Sequence, residues 1–100
     1  MGYTDIATVR ALTGVTSTSV SDLDIAVFIE AADAKIEKLL GVFSAPHPVL
    51  IKRLSTLLAA IDTVRRIPEW KQRQEELQAW EREVWEIFEL YGGAARFEKT

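Results

Sequence analysis

The sequence predicts an all-α fold, a compact bundle of about four helices over residues 4–13, 21–41, 48–66 and 69–91. Three observations carry that prediction. Apolar side chains return every three or four residues through these segments, the spacing that keeps them on one helical face. The clearest segment, SDLDIAVFIEAADAKIEKLLG at 21–41, opens on a capping serine and closes on a glycine. Gly14, Pro46, Pro48 and Pro68 stand between the periodic stretches or at their starts. Residues 1–91 are expected to form one domain and 92–100 a short mobile tail.

Composition bounds the function. A chain of 100 residues with 48% hydrophobic and 27% charged residues builds one core and stays soluble. It has no cysteine, which removes disulfides, thiolate metal sites and cysteine nucleophiles. The hydroxyl-rich first 20 residues do not read as a signal peptide, and no apolar run reaches the length of a membrane span. A soluble intracellular protein is expected. The net charge of −3 is unevenly spread: residues 42–67 hold four bases and one acid, and residues 68–91 hold seven acids and three bases. So acidic a chain is a poor nucleic-acid binder, and its complementary segments are expected to pair inside the fold or between subunits.

In chain order, Met1 and Gly2 are expected to fray. Thr4 is placed to cap TDIATVRALTG, where Ile6, Val9 and Leu12 share a face and Gly14 ends the helix. The polar VTSTSV that follows reads as a loop. Ser21 and Asp24 then match a capping box, and Val20 with Ile25 a hydrophobic staple. Ile25, Phe28, Ile29, Ala32, Ile36, Leu39 and Leu40 cover about 120° of arc and are assigned to the core. Gly41 is the expected left-handed stop. On the opposite face Val27, Ala31 and Ala34 are small and uncharged, leaving room for a second contact, while Glu30, Asp33 and Glu37 line one flank.

VFSAPHP at 42–48 is a connector, with Ser44 and His47 both placed to cap the next helix. His47 is the one histidine and has no ligand partner nearby in sequence, so a cap or surface place is expected for it. In the third helix Leu50, Ile51, Leu54, Leu57, Leu58, Ile61 and Val64 span about 140° of arc, and the other side carries Ser55, Thr56, Ala59 and Thr63. That breadth predicts a central helix touched by several neighbours. Asp62 is spaced to pair with Arg66. Pro68 breaks the chain and starts the fourth helix. There Trp70, Leu77, Trp80, Val84, Ile87, Phe88 and Tyr91 face the core, and Glu75, Glu76, Arg82, Glu83 and Glu86 face water. Trp85 and Leu90 fall off the buried stripe and are candidate contact residues. Gly92 and Gly93 end the helix.

No constellation for catalysis, a cofactor or a metal stands out. The paired glycines follow a helix rather than precede one, so they do not form a phosphate-binding loop. Glu83 and Glu86 are assigned to a wet face. Ile6 to Leu23 fits a helix-turn-helix in outline, with Val9, Val15, Val20 and Leu23 at its buried positions. Arg10 stands where that motif needs a small residue, Thr13 where it needs an apolar one, and STSVSDLD has two acids and no base. A small DNA-binding regulator is therefore the alternative reading, beside a helical interaction module of another kind.

From Tyr3 to Ala60 the order of signals resembles the small head–tail connector proteins (adaptor or head-completion proteins) of tailed phages and prophages. The matching stretches are YTDIATVRALTG, the polar spacer, SDLDIAVFIEAADAKIEKLLG with its Ala32-Asp33 pair and closing Leu-Gly, and PVLIKRLSTLLAA. The acidic helix 69–91, with its tryptophans, departs from the pattern. The resemblance implies a non-enzymatic, all-helical subunit that assembles as a ring beneath the portal, extends the DNA channel and supports tail proteins. Its partners would be further copies of itself, the portal protein and tail-side connector proteins, with DNA only as passing cargo. It would act at the neck of the virion after synthesis in the host cytoplasm, with no cofactor, membrane or small-molecule substrate. Terminal segments of the family contact the portal, which adds Phe97 to Val27, Ala31, Ala34, Trp85 and Leu90 as candidate interface residues.

Overall fold

Asp5, not Thr4, starts the first helix. In the computed structural model, which describes residues 2–91, the Asp5 carboxylate accepts hydrogen bonds from the Thr8 amide at 2.7 Å and the Thr8 hydroxyl at 2.8 Å. A carboxylate here satisfies a free amide and also meets the positive end of the helix dipole. Those two bonds, the backbone one first, hold the Asp5 carboxyl below its ordinary range. Thr4 is buried instead, its hydroxyl 2.7 Å from that of Thr56. Helix α1 spans Ile6–Thr13 and ends at Gly14, which adopts the left-handed conformation.

Helix α2, Asp22–Leu40, begins as the sequence predicts: the Ser21 hydroxyl accepts from the Asp24 amide at 3.1 Å, and Val20 and Ile25 are buried in one cluster. The reciprocal half of the capping box is replaced. Asp24, a methylene shorter than glutamate, pairs with Arg66 at 3.5 Å. Gly41 does take a positive φ of 96°, but its ψ of 178° is extended, so the chain leaves the helix without a left-handed turn. A loop carries it to helix α3, Val49–Arg65. Neither Ser44 nor His47 caps α3: Pro48 occupies that position, and its carbonyl accepts from the Ile51 and Lys52 amides.

The central place predicted for the third helix is observed. α3 packs against α1, α2 and the last helix, and Ser55, Thr56, Ala59, Ala60 and Thr63 are all buried along with its apolar stripe. Small side chains on this face allow α1 and α2 to approach closely. The Thr56 and Thr63 hydroxyls bond to carbonyls one turn back, which spares the interior unpaired polar groups. Leu50, assigned to the core, is exposed in the first turn of α3.

The expected helix 69–91 is two elements. Pro68–Arg73 forms a 3-10 helix, in which the Trp70 amide bonds back to the Ile67 carbonyl, and α4 proper runs Gln74–Leu90. Leu77, Trp80, Val84, Ile87 and Phe88 are buried against α3, with Trp70 and Tyr91 packed at the margin. The described residues contain no strand. The expectations for Met1, for the Gly92-Gly93 stop, for the mobile tail and for Phe97 lie outside the described residues.

Charge pairing is intramolecular. All four bases of segment 42–67 find acids on the other helices or at their caps: Lys52 with Asp5 at 3.9 Å, Arg53 with Glu83 at 2.7 Å, Arg65 with Glu81 at 2.8 Å and Arg66 with Asp24 at 3.5 Å. The expected Asp62–Arg66 pair is absent, because Arg66 turns to Asp24 and lies 5.6 Å from the Phe28 ring centroid. Glu83 and Glu76 are likewise not simply solvated, since Arg53 and Arg73 hold them.

Candidate functional site

The outward face of α2, which the sequence singles out, exposes large apolar side chains to solvent. Val27 is 53% exposed and Ala34 is open to solvent, as expected for a two-sided helix. The structure adds Leu23, 74% exposed, one turn before Val27. At 100° per residue Leu23, Val27 and Ala34 lie within about 40° of arc, directly behind the buried Ile25, Ile29, Ala32 and Ile36. The helix-turn-helix alternative places Leu23 at a buried position, and its exposure goes against that; its spacing four residues before Val27 was the signal for the outer face. Glu30 interrupts this ridge, and Lys38 follows at its end.

The other candidates do not join it. Ala31 lies further round α2, on the flank that faces α4. α2 and α4 both rest on α3 and barely meet each other, leaving a groove of about 640 Å³. Ala31, Lys35 and Leu39 line one wall, Glu81 and Trp85 the other, and Leu58 and Ile61 the floor. This explains why Leu39, assigned to the core, is exposed: no helix covers it. Trp85, 57% exposed, is thus a groove residue. Leu90 is exposed on the far flank of α4, about 140° around the helix from Trp85. Asp62 sits at the edge of the groove floor, where desolvation raises its carboxyl above the ordinary range despite the opposing influence of Arg65 and Lys35.

Two acids of the α2 flank have structural work. Asp33 accepts from the Tyr3 amide at 3.1 Å and from the buried Ser55 hydroxyl at 2.7 Å. Tyr3 donates its phenol to Glu37 at 2.9 Å, and the same oxygen accepts from the Phe43 amide at 3.1 Å. Burial first, and the neighbouring carboxylates after it, push the phenol above its ordinary pKa. His47 is neither a cap nor a free surface group, since its ring packs edge-on against Tyr3 at 4.7 Å. This cluster clasps the N-terminal segment to α2 and to the α2–α3 connector.

The loop between α1 and α2 is tied from within. Arg10 donates to the Val15 carbonyl at 3.1 Å, to the Val20 carbonyl at 2.9 Å and to Asp22. Thr13, buried, donates to the Val9 carbonyl and accepts from the Val15 amide. The polar residues that sit badly in a helix-turn-helix are therefore the ones that hold this loop together. Among the described residues no group of three or more His, Asp or Glu side chains is gathered to hold a metal.

Comparison of the chain with models of known protein families, with curated proteins and with solved structures finds no match.

Proposed function

We propose that this protein is a structural subunit of a phage or prophage head–tail connector, a non-enzymatic ring component that docks on the portal and extends the DNA channel toward the tail. The order of sequence signals from Tyr3 to Ala60 motivates the reading. The structural observation that supports it best is the outward face of α2, where Leu23 and Val27 stay in water although the same helix already buries a full apolar stripe. A second copy of the chain is the partner that a repeating assembly places there. If the face meets a different surface of the neighbour, the contact is head-to-tail, and head-to-tail contacts form a ring when their rotation closes. The intramolecular pairing of the basic segment leaves apolar contact to drive assembly.

Electron microscopy of the full chain, alone and mixed with the portal protein of the same genome, tests the proposal. Closed rings on their own or seated on the portal are expected. Protomers that stay dispersed in both samples contradict it. The DNA-binding alternative gains no support from the α1–α2 geometry, because Arg10, the one base of that segment, is spent on loop carbonyls and Asp22.

A further inference from the structure

Two apolar surfaces stand open to solvent on this chain, and their shapes are complementary. The ridge of Leu23, Val27 and Ala34 on α2 is convex. The groove between α2 and α4 is concave, with Leu39 and Trp85 on its walls and Leu58 and Ile61 of α3 on its floor. Its two walls are helices resting on a third, so the space between them is shaped for a helix laid alongside. The lengths agree at the helical rise: the ridge from Leu23 to Ala34 covers about 16 Å, and the α2 wall from Ala31 to Leu40 about 14 Å. Ridge and wall lie about 100° apart around α2, so one subunit offers both.

Charge agrees with shape. On the groove walls Arg65 is already paired with Glu81 at 2.8 Å. Lys35 acts on the Asp62 carboxyl from a distance, but it has no acid within ion-pair reach among the described residues. Glu30, the acid that interrupts the ridge, has no base within that reach either. Each stands midway along its surface, Glu30 between Val27 and Ala34 and Lys35 between Ala31 and Leu39.

We infer that the α2 ridge of one copy seats in the α2–α4 groove of the next, with Leu23 and Val27 over the apolar floor and Glu30 against Lys35. The inference rests on the connector reading for the second copy, and it names the surface that receives the ridge. The contact joins two different patches, so every subunit in the chain of contacts gives a ridge and receives one.

Sedimentation of the full chain with one surface blocked at a time tests it. Val27→Glu blocks the ridge and keeps the groove, whereas Leu39→Glu blocks the groove and keeps the ridge. Both positions are exposed, so both variants are expected to keep the wild-type circular dichroism. Each alone is expected to stay at the protomer mass of 11.2 kDa, and their equimolar mixture to reach twice that mass and stop, because only one productive contact remains. Lys35→Glu is a second groove variant: it is expected to raise the dissociation constant about tenfold or more, and Glu30→Lys in the same chain to restore it. Leu39→Glu that associates as wild type does overturns the inference and leaves assembly through the ridge standing, since the ridge then meets some other surface, a second ridge included. A mixture that stays at the protomer mass, or a charge reversal without rescue, overturns it as well. A wild type that stays at the protomer mass up to about 1 mM removes self-association itself, and the inference with it.

Discussion

Arg53 grips Glu83 with two hydrogen bonds, at 2.7 and 3.1 Å, and so fixes one flank of α4 on α3. The opposite flank is held by Arg65 and Glu81, whose donor stands twelve residues further along α3. Glu81 and Glu83 are only two residues apart, about 200° around the helix, so the two pairs bracket the buried stripe of Trp80, Val84 and Ile87. The pairs therefore set how α4 is rotated on α3, and with it the direction in which Trp85 faces.

Glu83→Gln should lower stability by about 0.5–1 kcal/mol at neutral pH, a small effect because both partners are only half-buried. The hydrogen bond from Arg53 is the main reason that the Glu83 carboxyl lies below its ordinary value of 4.5. A depressed carboxyl contributes stability above its unfolded value, and that contribution disappears as pH falls through the folded one. The gap between wild type and variant in urea denaturation should accordingly be full at pH 7 and close under acid conditions.

Asp5→Ala should cost about 1 kcal/mol in the same measurement, the usual loss for an N-cap side chain. Thr4→Val tests the other half of the correction. It removes a buried hydroxyl bond but no cap, and Thr56 keeps its bond to the Lys52 carbonyl. Far-ultraviolet circular dichroism should show helix loss at the chain start for Asp5→Ala alone.

Tyr3→Phe should destabilise by about 1 kcal/mol, since Glu37 and the Phe43 amide each lose a partner. Its pH signature has the opposite sense to that of Glu83. Folding raises the Tyr3 phenol above 10.0, so its contribution is complete below that value and is lost as pH rises through the folded one. Denaturation profiles of wild type and variant should therefore converge under strongly alkaline conditions.

Duplex DNA should not bind. Fluorescence anisotropy at low salt with micromolar protein should stay flat, because α1 and its loop present no free base and the remaining bases of the central segment are paired with acids. A salt-sensitive rise in anisotropy would revive the helix-turn-helix alternative.

Much of the fold was legible from local chemistry. Ser21, Gly14 and the four- and seven-residue spacings of Ile25, Ile29 and Ile36 each act within a single helix, so they could be read directly from the sequence. What escaped depends on packing between helices. Leu39 has the right spacing for the core, but its exposure follows from α4 and α2 failing to meet. Arg66 had a partner one turn away in Asp62, yet Asp24 across the bundle won it. The candidate site was legible in part for the same reason: Val27 and Ala34 share a face by periodicity, whereas the separation of Ala31 and Trp85 into a groove needed the positions of three helices.

Self-association through the α2 ridge is the central claim, and light scattering of purified wild type and Val27→Glu over a concentration series tests it most directly. Wild type should rise above the protomer mass of 11.2 kDa as concentration approaches about 1 mM, a range that detects even weak contacts. Val27→Glu should remain at the protomer mass with unchanged circular dichroism. A wild type that stays at 11.2 kDa throughout, or a variant that associates equally well, would contradict the claim.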